Sequence, residues 1–149
     1  MKGKIEFEAD GIEMPDFDKR KVSEWIRSVA RDHGYDIKRL SYLFLNDEKM
    51  LEANNKYLGH DYYTDVITFD YTRPEILCGE ILISLDTVKS NAELMDEEYG
   101  RELLRVVIHG VLHLCGINDK GEGEREIMEA EENKALRKWE GELSAGYKN

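Results

Sequence analysis

Apolar residues follow two different spacings along this chain, and the spacing predicts where strands and helices lie. Four short runs alternate apolar and polar residues or are rich in β-branched residues, which predicts strands near 5–7, 41–45, 66–69 and 80–83. Five longer segments repeat apolar residues every three or four positions, which predicts helices near 18–34, 46–57, 84–95, 101–115 and 124–139.

The segment 101–115 has the broadest apolar band, and we expect its helix to be central. Gly116 follows it, in the position where a left-handed residue ends a helix. The last helix is predicted to turn five residues inward: Ile127, Met128, Ala135, Leu136 and Trp139.

These elements predict an α/β (α+β) fold, with a short four-stranded mixed sheet and about five helices in one domain over 1–149. The helix between the second and third strands permits a parallel crossover. The turn at Pro74 favours a hairpin between the third and fourth strands.

Composition restricts the class of protein. Hydrophobic residues are 41% of the 149 and charged residues 36%, which excludes a disordered or collagen-like chain. No apolar run approaches the roughly 18 residues of a membrane span, and the N-terminus lacks a signal-peptide pattern. Two cysteines, Cys78 and Cys115, fit a reducing compartment. We therefore expect a soluble, cytoplasmic domain with no membrane partner.

The charge is acidic overall but unevenly distributed. There are 21 Lys plus Arg against 32 Asp plus Glu, a net charge of -11, which argues against a general nucleic-acid binder. The segment 18–39 nevertheless has seven basic residues against four acidic ones. Arg27 and Arg31 in its helix are candidate contacts for RNA phosphates, although a charged helical face is commonly just solvated.

Two histidines in the central helix form a candidate metal site. His109 and His113 are four residues apart, so both imidazoles leave the same face of the helix, one turn apart. The glycine turn at Gly116 can return the chain so that Asp119 reaches the same ion. Two nitrogens and one carboxylate leave a fourth position open, which is typical of catalytic rather than structural zinc. The alternative is a pair of hydrogen-bonded core histidines.

The residue after the first histidine indicates the reaction. Zinc peptidases with the His-Glu-x-x-His motif place a glutamate there as general base, whereas this chain has Gly110. A peptidase is therefore not expected. We expect the glycine to leave room above the ion for a bulkier group such as a phosphodiester.

Three segments together resemble the YbeY-type endoribonucleases, which are bacterial rRNA-maturation factors. The family pattern His-Gly-x-Leu-His-Leu-x-Gly-x-Asp-His is similar to 109–119, with Asp119 in place of the third histidine. The pattern Tyr-Arg-x-x-Asp-x-Pro-Thr-Asp-Val-Leu-Ser-Phe is similar to 57–69, and Gly-Asp-Ile-x-Ile-Ser to 79–84. The resemblance covers about 40–138.

The resemblance implies a metal-dependent, single-strand-specific endoribonuclease that acts in 16S rRNA 3′-end maturation and ribosome quality control. It implies one zinc ion per chain, held by His109, His113 and Asp119. The expected partners are single-stranded RNA, ribosomal RNA and the small ribosomal subunit, and no DNA is expected.

One departure from the family concerns catalysis. The family arginine is Leu58 here, so His60, Lys56 and Arg105 become candidates to meet the transition-state charge, and Lys56 is also a candidate substrate contact. Thr64 and Asp65 either support a metal ligand or cap the loop, and the cap is favoured.

Two other functions fit parts of the pattern. Leu58 supports a non-catalytic ribosome-assembly factor in which the metal only holds helix and turn together. Two histidines and a carboxylate also occur in Fe(II) oxygenases. Those enzymes usually have scattered ligands on a β-barrel, whereas here the three lie within eleven residues.

Overall fold

The helices and strands follow one another in the predicted order. The computed structural model describes residues 3–60 and 64–148, and of 142–148 only the backbone. In these residues the elements are β1 (Lys4–Asp10), α1 (Lys19–Asp32), β2 (Asp36–Leu45), α2 (Asp47–Leu58), β3 (Val66–Asp70), β4 (Ile76–Ser84), α3 (Leu85–Leu94), α4 (Tyr99–Leu114) and α5 (Glu124–Lys148). The predicted α/β fold with a four-stranded mixed sheet is confirmed.

The sheet has the strand order β1-β2-β4-β3. β1 pairs with β2 and β2 with β4 in parallel, whereas β3 pairs with β4 antiparallel. The predicted hairpin between the third and fourth strands is therefore confirmed. The predicted parallel crossover from β2 to β3 is wrong. β4 rather than β3 pairs with β2, so β3 lies at the edge of the sheet and runs antiparallel to β4.

Side-chain caps begin three of the helices. The carboxylate of Asp18 accepts hydrogen bonds from the backbone amides of Arg20 and Lys21 at the start of α1. Asn46 caps α2 and Ser84 caps α3 in the same way. Each cap satisfies backbone donors that have no partner inside the helix, which fixes where the helix begins.

The sheet separates two apolar layers. Tyr42 and Phe44 of β2 belong to the main core, which α1, α4 and α5 also enter, whereas Leu43 and Leu45 pack on the opposite face. That second face is covered by α2 through Met50. Successive strand residues point to opposite faces, and this alternation divides the two layers.

Buried hydrogen bonds hold the helices of the main core in place. The hydroxyl of Tyr42 donates to the carbonyl of Val107 in α4 at 2.9 Å, and the indole of Trp25 donates to the carbonyl of Ala135 in α5 at 2.9 Å. The first bond joins α4 to the sheet and the second joins α1 to α5, while α4 itself contacts both the sheet and α5.

Gly110 has a different role from the one predicted. A Cβ at this position would lie 2.6 Å from Cδ1 of Ile81 in β4, so the glycine faces the sheet. It lets α4 approach the strand closely, and it does not open space above a metal ion. The prediction of room for a phosphodiester at Gly110 is wrong.

The last helix differs from the prediction in length and in one inward residue. α5 continues to Lys148 rather than ending near Trp139. Ile127 is 59% exposed, whereas Met128 beside it is buried. Adjacent helical residues point about 100° apart, and here Met128 lies in the buried stripe with Ala135 and Leu136 while Ile127 falls on the solvent side. No helix in the described part of the chain is both long enough and apolar enough to cross a membrane.

Candidate active site

A cavity of about 790 Å³ opens beside the C-terminal half of α4. The end of α2, the start of β3, the turn after α4 and the first half of α5 all contribute to its walls. Leu58, His60, Asp65, His109 and Asp119 are among its lining residues.

The turn after α4 positions the second histidine. The amide of Gly116 donates to the carbonyl of His113 at 3.0 Å, and the amide of Ile117 donates to the carbonyl of Leu112 at 3.1 Å. This pair of bonds is a Schellman motif, and Gly116 has the positive φ of 94° that it requires. The turn also brings the carbonyl of Ile117 to 3.3 Å from Nδ1 of His113.

His109 lies between two carboxylates. Its Nδ1 is 2.6 Å from Oε2 of Glu132 in α5, and its Nε2 is 3.3 Å from Oδ2 of Asp119. An ionised carboxylate only accepts, so Nδ1 carries the proton that it donates to Glu132. The sequence prediction that Asp119 returns to the first histidine therefore agrees with the geometry.

The donor set fits a divalent metal ion. Metal-binding histidines typically donate the nitrogen that does not bind the metal to a carboxylate or a carbonyl, and His109 and His113 each place Nδ1 against such an acceptor. Nε2 is then the nitrogen that would bind a metal. Ligand atoms about 2.0–2.1 Å from a tetrahedral zinc ion are about 3.3 Å apart, which matches the distance from His109 to Asp119.

The complete ligand set stays a prediction. In residues 3–60 and 64–148, no group of three or more His, Cys, Asp or Glu side chains is arranged to hold a metal ion. His109 and Asp119 are in contact, and His113 lines the same cavity.

Negative charge is concentrated in this cavity. Its described lining contains six acidic residues and three basic ones. The acidic residues are Asp65, Glu97, Glu102, Asp119, Glu129 and Glu132, and the basic ones are Arg105, Lys120 and Arg125. An acidic pocket attracts a cation and repels an RNA phosphate unless a cation is bound.

Burial and neighbouring charges together change the pKa of several groups in the cavity. Burial lowers the pKa of His109, but the hydrogen bond and charge of Glu132 and the charges of Asp119 and Asp65 outweigh it, so the pKa is raised. Burial raises the pKa of Asp65, against the charge of His109 and two backbone hydrogen bonds. Burial also raises the pKa of Glu102.

The surroundings of Asp65 bear on the two roles considered for it, which are a loop cap and support of a metal ligand. The backbone amides of Asp65 and Val66 lower the pKa of its carboxyl, as they would in a loop cap, and the charge of His109 also lowers it. The hydroxyl of Thr64 donates to the carbonyl of Val66 at 3.4 Å. Asp61, Tyr62 and Tyr63 of the family-like segment lie outside the described residues.

Arg105 lines the cavity, but other side chains engage its guanidinium. Nη1 donates to Oε1 of Glu132 and Nη2 to Oδ1 of Asn133, both at 2.9 Å, while Nε lies 3.8 Å from Oε1 of Glu102. This geometry favours a positioning role for Arg105 over direct contact with substrate.

The other predicted basic residues divide between the cavity and the rest of the surface. His60 lines the cavity beside Leu58, the residue in the family arginine position. Lys56, Arg27 and Arg31 are not among its lining residues. Lys56 lies over the ring of its neighbour Tyr57. Arg27 donates to the carbonyl of Gly3 at 2.7 Å.

Three site residues were missed by the sequence analysis: Glu132, Lys120 and Arg125. Glu132 had a recognisable pattern, because it is an acidic residue in the helical stripe formed by Met128, Ala135 and Leu136. An acid in an apolar stripe is rare unless it has a partner. Nothing in the sequence distinguishes Lys120 and Arg125 from other surface cations.

The fold and the cavity define an α/β protein with a histidine–carboxylate site where its central helix ends. The family described as Endoribonuclease YbeY matches residues 4–140. The chain belongs to this family, as its resemblance to the family motifs predicted.

Individual relatives agree with this assignment. The chain is 56% identical over 132 residues to an endoribonuclease YbeY from Phocaeicola vulgatus, covering 89% of this chain and 96% of the relative. It is 49% identical over 133 residues to one from Porphyromonas gingivalis, covering 89% and 88% of the two chains. The solution structure of TM1509 from Thermotoga maritima superposes with a TM-score of 0.68 at 26% identity, covering 96% and 93%.

Proposed function

We propose that the chain is a zinc-dependent endoribonuclease that cleaves single-stranded RNA and acts in the cytoplasm on the 3′ end of 16S rRNA and in ribosome quality control. The observation that carries the metal-dependent part is the pair of histidines whose Nδ1 atoms face oxygen acceptors, with Asp119 against Nε2 of His109. The names of the relatives support the RNA-cleaving part.

Three residues of the chain would hold one zinc ion: His109 and His113 through Nε2, and Asp119 through its carboxylate. When bound, the ion would supply a Lewis acid for the phosphodiester and an activated water as nucleophile. The carboxylate of Glu132 and the carbonyl of Ile117 favour the tautomers of His109 and His113 in which Nδ1 carries the proton and Nε2 is able to bind the ion.

Charge in the cavity supports a cation-dependent reaction. RNA carries one negative charge per nucleotide, and the described cavity lining has twice as many acidic as basic residues. A divalent ion offsets part of that excess. Lys120 and Arg125 line the cavity and are candidates to contact phosphates of the RNA backbone. Leu58 has no charge with which to replace the family arginine, so His60, which lines the same cavity, is a candidate for that role.

The test is metal analysis of untagged full-length protein, followed by incubation with single-stranded and duplex RNA of the same sequence. We expect one zinc ion per chain and metal-dependent cleavage of the single strand alone. His109→Ala serves as the inactive control, and a chelator should abolish cleavage until zinc is restored.

Two outcomes contradict the proposal. Stoichiometric zinc without cleavage of any RNA would favour the non-catalytic assembly factor. Cleavage that survives both chelation and the His109→Ala change would place the active site elsewhere.

A further inference from the structure

The carboxylate of Glu132 contacts two different groups of the cavity at once. Oε2 lies 2.6 Å from Nδ1 of His109, and Oε1 accepts from Nη1 of Arg105 at 2.9 Å. Glu132 is 8% exposed and lies on α5, whereas both of its partners lie on α4. Glu132 lies outside the three family-like segments, 57–69, 79–84 and 109–119.

The geometry points to Glu132 as the positioning residue of the site, which fixes the tautomer of His109 and holds Arg105 beside it with a single shared carboxylate. This inference rests on the proposed metal-binding function. It concerns how the chain prepares His109 before any ion arrives.

The chemistry of the carboxylate makes this arrangement specific. Two carboxylate oxygens can accept from two donors at the same time, one from the imidazole and one from the guanidinium. Because Oε2 only accepts, His109 must carry its proton on Nδ1. When the imidazole is neutral, Nε2 then has the lone pair that a metal ion requires, whereas in the fully protonated form Nε2 donates to Asp119.

A glutamine in place of Glu132 cannot satisfy both partners. If its amide oxygen accepts from Arg105, its NH2 group faces Nδ1 of His109 and the proton must move to Nε2, which blocks the ligand atom. If the oxygen turns to His109 instead, the NH2 group faces Nη1 of Arg105, and two donors meet. The near-isosteric Glu132→Gln variant therefore separates positioning from simple packing.

The first experiment uses metal-free protein. Long-range proton–nitrogen NMR at a pH where the imidazole is neutral reports which ring nitrogen of His109 carries the proton. We expect the Nδ1–H tautomer in the unmodified chain and an increased Nε2–H fraction in Glu132→Gln. The control is Glu131→Gln, which makes the same charge change one residue away, at a side chain that pairs with His33. We expect no change of tautomer in this control.

The second experiment measures Zn²⁺ affinity by competition with a chromophoric chelator. Loss of a supporting contact to a metal-binding histidine typically costs 10–100-fold in affinity, so we expect Glu132→Gln to bind Zn²⁺ about 10–100-fold more weakly than Glu131→Gln. Adding Arg105→Met to Glu132→Gln frees the amide oxygen to turn toward His109. We expect this double variant to recover part of the lost affinity, whereas a purely structural role predicts further loss.

The outcomes separate this inference from the proposed function. An unchanged tautomer in Glu132→Gln, or a double variant that binds Zn²⁺ more weakly than Glu132→Gln alone, overturns the role of Glu132. Failure of the unmodified chain to bind Zn²⁺ overturns the proposed function, and the tautomer measurement in the metal-free protein still decides the role of Glu132.

Discussion

The core of the protein does not depend on the two histidines proposed to bind zinc. His109 and His113 are partly exposed on the cavity side of α4, while Val107, Ile108 and Val111 of the same helix are buried. His109→Ala and His113→Ala should therefore stay folded but weaken Zn²⁺ binding by more than the roughly 10–100-fold cost of a lost supporting contact. Circular dichroism and chelator competition check the two parts.

Asp119 should matter less than His109, because its side chain is more exposed and a water molecule can take its place on the ion. We expect Asp119→Ala to weaken Zn²⁺ binding, but by a smaller factor than His109→Ala. Asn118→Ala is the matched control, since Asn118 is exposed and adjacent. Stronger weakening by Asn118→Ala than by Asp119→Ala would show that the ligand is assigned to the wrong residue.

A buried acid in the cavity makes stability depend on pH. Burial raises the pKa of Glu102 above 4.5, and the charges of Asp65, Glu132 and Glu97 add to the effect, while Arg105 opposes it. Above the raised pKa, the ionised group costs folding free energy. Glu102→Gln should therefore raise the melting temperature by a few degrees at pH 7. That gain should disappear as the pH falls through the raised pKa toward 4.5.

Thermal unfolding of the metal-free chain between pH 4 and pH 8 measures this effect. Glu126→Gln is the control, because Glu126 is an exposed acid in the first turn of α5. A gain for Glu102→Gln that is constant across the pH range would mean that ionisation of Glu102 is not its cause.

The packing of α4 on β4 depends on a glycine inside the helix. Alanine is normally about 1 kcal/mol better than glycine there, but a Cβ at Gly110 would lie 2.6–3.2 Å from three side-chain atoms of Ile81. Two of these are γ-carbons fixed close to the strand backbone, so the strand or the helix must shift. We expect Gly110→Ala to lower the free energy of unfolding by about 1–3 kcal/mol.

Gly100 in the same helix provides the comparison. A Cβ at Gly100 would have Oε1 of Glu98 as its nearest neighbour, at 3.7 Å. Gly100→Ala should therefore be neutral or stabilise by up to about 1 kcal/mol. Urea denaturation of both variants measures the difference. Equal stabilisation by the two changes would show that α4 has more space above β4 than the structure gives it.

Local chemistry made most elements predictable from the sequence. Asp18, Asn46 and Gly116 each determine a helix end through hydrogen bonds or a positive φ within a few residues, so their effect is readable in the sequence. The place of β3 at the sheet edge depends on which strand pairs with β2. Strand pairing depends on contacts between residues that are far apart in the sequence. The sequence pattern therefore did not show that β4, and not β3, pairs with β2, and the predicted crossover was wrong.

The same distinction applies to the site. His109, His113 and Asp119 lie within eleven residues, so their spacing alone predicted that they face one another. Glu132 reaches His109 from another helix, and only the packing of α5 on α4 brings them together. The role of Gly110 was predicted wrongly for a related reason. The sequence spacing shows which residues share a face of α4, but it does not show that β4 packs against the face that contains Gly110.

The distribution of charge decides where RNA can lie on an acidic protein. The net charge of -11 opposes RNA binding at long range, so favourable contacts must be local. Two regions are candidates: the cations along the cavity, Lys120 and Arg125, and the basic helix α1 with Arg27 and Arg31. The cavity cations line the same cavity as the proposed zinc ligands, whereas Arg27 donates to the backbone carbonyl of Gly3.

The dependence of RNA binding on salt distinguishes these regions. Each phosphate contact on a single strand contributes about 0.7 to the slope of log affinity against log salt concentration. Lys120→Glu and Arg125→Glu should each weaken binding of a single-stranded RNA and flatten that slope by about 0.7. Arg31→Glu makes the same change in charge away from the cavity, so we expect a smaller effect on the slope. Fluorescence anisotropy at several salt concentrations gives the slopes, and a greater flattening by Arg31→Glu than by the cavity variants would place the RNA along α1.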